Sequence, residues 1–92
     1  MEVKRKHIRV TGRVQGVGFR YTSAECADKV GVTGWVRNDY DGSVEMEVQG
    51  TEAQINTLFE MIKNSSSYID IENLETKTIP VIKDDEGFEI RH

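Results

Sequence analysis

The chain has 92 residues, a formal net charge of −4, 30% charged residues and 37% hydrophobic residues. That length supports one domain spanning residues 1–92, since two would each be too small to bury a core, and the composition excludes a disordered chain. Overall acidity argues against a broad nucleic-acid-binding surface. No apolar run reaches the length of a membrane span, and the N-terminus lacks the apolar core of a signal peptide. Cys26 stands alone, so it has no internal disulfide partner, and no Cys/His spacing suits zinc. A cytoplasmic monomer without nucleic-acid, membrane or metal partners is the expectation.

Ile8, Val10, Gly12 and Val14 alternate with His7, Arg9, Thr11 and Arg13, which predicts a first strand with one buried face. The basic cluster Lys4–His7 with Arg9 reads as a solvated lead-in to that strand. Gly16 and Gly18 then break the alternation. From about Phe19 the pattern is helical, with Tyr21, Ala24, Ala27 and Val30 near one face and Gly31 at the C-cap position. Thr22-x-x-Glu25 offers a later helix start as a capping box.

A second strand is expected from about Val32 to Asn38, followed by a turn at Asp39–Gly42. Val44, Met46 and Val48 alternate with polar residues and predict a third strand, hairpin-paired to the second and ended by Gly50. Thr51-x-x-Gln54 is a capping box, and Ile55, Leu58, Phe59 and Ile62 follow helical spacing. After a polar loop at residues 64–67, a fourth strand lies within Ile69–Ile79, with an irregular phase near Asn73 and Leu74. Pro80–Gly87 reads as exposed loop, its acids at 84–86 solvated, and Phe88–Arg91 as a short last strand.

The order β-α-β-β-α-β predicts an α+β, ferredoxin-like split βαβ sandwich. Its antiparallel sheet would carry both helices on one face, because right-handed crossovers place them there, with the short terminal strand added.

The stretch Gly12–Arg20, "GRVQGVGFR", holds three glycines and two arginines without an acid. It fits neither the dinucleotide nor the Walker fingerprint, since Tyr21 stands where a third glycine would be needed and no Gly-Lys-Ser/Thr follows. The physics of such motifs still applies: a glycine turn between a strand and a helix start can aim successive N–H groups at an anion. Arg20 in the first helical turn opposes the helix dipole unless an anion neutralises both. A surface arginine, a tight β–α turn and a turn-opening Asn38 account for the same residues, and the two readings stand side by side at this point. His7, His92 and Cys26 read as structural, and two histidines near the chain ends assemble no nucleophile–base pair.

Val10-x-Gly12-x-Val14-Gln15-Gly16-Val17-x-Phe19-Arg20 closely resembles the first signature of the acylphosphatase family. Gly34-Trp35-Val36-Arg37-Asn38-x-x-x-Gly42-x-Val44, with Gly50 beyond it, resembles the second. The resemblance spans essentially the whole chain. It implies the ferredoxin-like fold and hydrolysis of small-molecule acyl phosphates to a carboxylate and inorganic phosphate, without metal or cofactor. By the resemblance, Arg20 grips the phosphoryl group, Asn38 holds the attacking water, and the backbone amides of Gln15, Gly16, Val17, Gly18 and Phe19 form the cradle. A carboxylate leaving group needs little help from an acid, so binding and orientation carry the chemistry. The alternative is a non-catalytic anion-binding or regulatory module of the same fold.

Overall fold

A computed structural model of the chain describes residues 2–92. Its elements are β1 (Val3–Arg13), α1 (Phe19–Val30), β2 (Thr33–Asn38), β3 (Val44–Thr51), α2 (Glu52–Ser65), β4 (Asp70–Ile79) and β5 (Phe88–Ile90). They form one five-stranded sheet in the order β4-β1-β3-β2-β5. The first four strands pair antiparallel, while β5 runs parallel to β2 at the sheet edge. This is the ferredoxin-like arrangement that the element order predicts. Among the described residues no helix is long and apolar enough to cross a membrane.

Alternation along β1 and β3 points Ile8, Val10, Val44, Met46 and Val48 toward the helices, where all are fully buried. Against them α2 lays Ile55, Leu58, Phe59 and Ile62. The Thr51–Gln54 capping box forms in both directions: Gln54 N donates to Thr51 Oγ1 at 3.2 Å, and Thr51 N to Gln54 Oε1 at 2.9 Å.

Helix α1 differs from the sequence expectation in start and in phase. It begins at Phe19 behind Gly18, whose φ of 78° is left-handed, so Thr22 lies inside the helix and forms no capping box. Its buried residues are Phe19, Ser23, Cys26 and Ala27, whereas Tyr21 is 69% exposed. Ser23 joins the core because its hydroxyl donates to Phe19 O at 2.8 Å, which satisfies the polar group inside the helix.

The irregular phase of β4 is a bulge. Thr11 pairs with Asn73 but Gly12 pairs with Ile71, which leaves Glu72 extra on β4. Only glycine fits opposite: Gly12 has φ 124°, and a Cβ there would lie 2.2 Å from Asp70 O.

The other face of the sheet corrects two sequence expectations. Arg5 is not solvated but 2% exposed, and its guanidinium reaches Glu47 at 2.8 Å, Asp85 at 2.9 Å and Gln49 at 3.2 Å. Asp85 is correspondingly no free acid. Burial works to raise its pKa, but hydrogen bonds from Thr33 and Arg5 outweigh that and hold it below the usual range. Arg5 thereby pins the segment between β4 and β5 across the sheet.

Removing one partner of such a cluster strands charge in a poorly hydrated place. Arg5→Ala is expected to lower the unfolding free energy by about 3 kcal/mol in urea titration. A loss under about 0.5 kcal/mol, typical of exposed pairs, would contradict this account of the cluster.

Candidate active site

β3 separates β1 from β2 and its first residue, Val44, pairs with both Val10 and Asn38, so the turn Gln15–Gly18 that joins β1 to α1 leaves the end of the sheet at which β2 stops. Gly16 (φ 74°) and Gly18 (φ 78°) adopt the left-handed conformation, and nothing lies within 4 Å of where a Cβ would sit on either. Their backbone therefore borders open space at the positive end of α1, where an anion is favoured.

That space is a cavity of about 140 Å³ lined by Val14, Gly16, Gly18, Phe19, Arg20, Tyr21 and Asn38. Arg20 from α1 and Asn38 from the end of β2 thus meet at one cavity, together with three of the five expected cradle residues. Of the other two, Val17 packs partly buried against the core, and Gln15 lines a neighbouring cavity. Gln15 acts through its side chain as well: Nε2 donates to Asp39 O at 2.7 Å and to Ser43 O at 2.8 Å. These bonds fasten the glycine turn to the β2–β3 hairpin that carries Asn38.

The hairpin is itself braced. Asp41 Oδ1 accepts from Ser43 N at 3.0 Å and from the Ser43 hydroxyl, while Arg9 donates to Oδ2. The Ser43 hydroxyl first, and Arg9 next, hold the Asp41 carboxyl well below the usual carboxylate range. Arg37, next to Asn38, bridges Glu45 at 2.7 Å and Asp39 at 3.5 Å. Burial works to raise the pKa of Glu45, but hydrogen bonds from His7 and Arg37 outweigh it and keep the carboxyl ionised.

Arg20 has partners that sequence reasoning did not find. Its Nη1 donates to Arg91 O and to His92 Nδ1, both at 3.2 Å. Arginine cannot accept, so His92 offers the lone pair of Nδ1. One arm of the guanidinium is thereby anchored to the segment after β5, which leaves Nε and Nη2 to grip two oxygens of an anion. The anchor is held in turn: Arg91 N donates to Val36 O at 2.8 Å, and its guanidinium lies over Trp35 at 4.7 Å from the ring centroid. Only the parallel β5–β2 pairing brings these residues together, and no local pattern announces it. Among the described residues no group of three or more His, Cys, Asp or Glu side chains is placed to hold a metal ion.

A second cavity of about 630 Å³ adjoins the first at Asn38 and is lined by Gln15, Arg37, Asn38, Asp39, Tyr40 and His92. The site can therefore hold a small oxyanion between backbone donors and a forked cation, with an amide side chain at its border.

Comparison with known proteins agrees with this geometry. The acylphosphatase family model matches residues 6–90. An acylphosphatase of Bifidobacterium longum is 45% identical over 78 residues, covering 85% of this chain and 80% of that one. One of Geobacillus kaustophilus is 40% identical over 90 residues, covering 98% of this chain and 96% of the relative. The crystal structure of acylphosphatase from Bacillus subtilis superposes with a TM-score of 0.86 at 34% identity, covering 99% of this chain and 100% of that one. Two sequence signatures, a glycine turn that meets Arg20 and Asn38 at one cavity, and full-length likeness in sequence and fold lead to one conclusion: the chain belongs to the acylphosphatase family.

Proposed function

We propose that this single-domain chain hydrolyses small-molecule acyl phosphates to a carboxylate and inorganic phosphate, with Arg20 and Asn38 as its catalytic side chains. The observation that carries the reading is that these two residues, from different elements, line one cavity at the N-terminus of α1. The amides of residues 15–19 and the Arg20 fork take the phosphoryl oxygens and stabilise the charge that spreads over them in the transition state.

Asn38 holds the attacking water. Its amide oxygen accepts from the water and its NH₂ can donate, with no negative charge to repel the phosphoryl group. Water oxygen bonds to phosphorus as the phosphorus–carboxylate oxygen bond breaks. The bonding pair leaves with the carboxylate, and the protons of the water go to inorganic phosphate and solvent. A carboxylate is stable at neutral pH, so no protein acid is needed for its departure. The reading includes a cytoplasmic monomer, for which the lone, buried Cys26 suits a reducing compartment.

Substitution separates the two roles. Arg20→Lys keeps the charge but loses the fork, and turnover of benzoyl phosphate is expected to collapse while the circular-dichroism spectrum is unchanged. Asn38→Ala is expected to lower kcat about a hundred- to ten-thousandfold while inorganic phosphate still binds. Near-normal turnover in Arg20→Lys, or a raised KM with unchanged kcat in Asn38→Ala, would contradict the assigned roles. A wild-type protein that binds phosphate but releases none from benzoyl phosphate would be a binding module instead.

Single-turnover rates should fall steeply from benzoyl phosphate to p-nitrophenyl phosphate, with a simple alkyl phosphate nearly inert, since an alkoxide does not leave unassisted. A flat series in the chemical step would reveal a general acid and overturn the mechanism.

A further inference from the structure

We propose that Tyr21 forms the acyl-group subsite, so that an uncharged acyl group with a flat aromatic face lies against its ring. The proposal rests on the hydrolytic reading above and adds the part of the substrate that the phosphoryl cradle leaves unspecified.

Three observations converge on this residue. Tyr21 lines the same cavity as Arg20 and Asn38, yet it is 69% exposed. It is the third residue of α1, and helical side chains lean toward the helix N-terminus, which carries its ring back over the cavity mouth. The cavity of about 140 Å³ equals about five waters at their liquid volume of about 30 Å³ each. A phosphoryl group and its attacking water fill most of that, so the acyl group lies outside, at the rim.

In-line displacement decides which rim. Water at Asn38 attacks with the leaving group on the far side of phosphorus, away from the end of β2, and Tyr21 is the exposed aromatic residue of the cavity that does not come from that end. Tyr40 is exposed as well, but it follows Asn38 by two residues in the β2–β3 turn and lines the larger cavity rather than the one that holds Arg20, which sets it with the water. Geometry therefore favours Tyr21 over Tyr40, although both are aromatic, exposed and near the site. An aromatic acyl group can stack on the Tyr21 ring, whereas an acetyl group offers no face to stack.

The test compares kcat/KM for benzoyl phosphate and acetyl phosphate in the wild type, Tyr21→Ala, Tyr21→Phe and Tyr40→Ala. Taking the ratio within each protein cancels the intrinsic reactivities of the two substrates. Tyr21→Ala should lower the benzoyl-to-acetyl ratio by about three- to tenfold, the size of one aromatic contact. Tyr21→Phe should restore the ratio, and Tyr40→Ala should leave it at the wild-type value. Inhibition by inorganic phosphate, which lacks an acyl group, confirms that each variant keeps its cradle. An unchanged ratio in Tyr21→Ala, or a ratio that falls in Tyr40→Ala instead, would overturn the subsite while hydrolysis itself stands. A wild type that hydrolyses neither substrate would overturn both the subsite and the hydrolytic reading.

Discussion

A backbone turn can bind an anion only if its N–H groups stay aimed inward, and an irregular turn has no ladder of its own to keep them so. In this chain Gln15 supplies the constraint, reaching from the turn after β1 to two carbonyls of the β2–β3 hairpin. Its amide donates twice, to Asp39 O and Ser43 O, at the turn of the hairpin that carries Asn38. The turn, the start of α1 and the end of β2 thereby become one unit. Such pre-organisation is what a reaction driven by positioning and electrostatics requires, because reorganisation during the chemical step would cost rate.

The opposite end of the site depends on charge packed across the open face of the sheet. Trp35 lies between two guanidinium groups, Arg37 at 5.4 Å and Arg91 at 4.7 Å from its ring centroid. Arg91 carries this order onward, since its backbone pairs with β2 and its carbonyl accepts from Arg20. Arg5, Glu47 and Asp85 hold down the segment that leads into β5. The short parallel strand therefore does more than extend the sheet: it delivers a fixed acceptor to a long, flexible arginine, which in the proposed role lowers the entropy lost on gripping an anion.

Elements with strong periodicity were legible from residues alone. Helix α2 has both an apolar stripe and a reciprocal cap, and β1 and β3 bury one face each, so local pattern and tertiary environment agree there. Helix α1 misled because a serine occupies its buried stripe and a tyrosine its open side; Ser23 is satisfied internally, which sequence hydropathy cannot register. Arg5 and Asp85 looked solvated for a similar reason, as Arg5 is buried among Glu47, Gln49 and Asp85, and Asp85 is half-covered where it meets Arg5, all partners distant in sequence. Arg20 and Asn38 were nameable from the two motifs. Their meeting at one cavity was not, nor was the contact of Arg20 with the C-terminal segment, because both depend on strand order across the sheet.

In the proposed mechanism, water held at the cavity attacks phosphorus and not the carbonyl carbon. Hydrolysis of benzoyl phosphate in ¹⁸O-labelled water, with mass analysis of both products after a single turnover, tests it most directly. Attack at phosphorus places the label in inorganic phosphate and none in benzoate. Label in benzoate would mean attack at carbon, and the cradle, the fork and the water-holding amide would all have been assigned to the wrong atom.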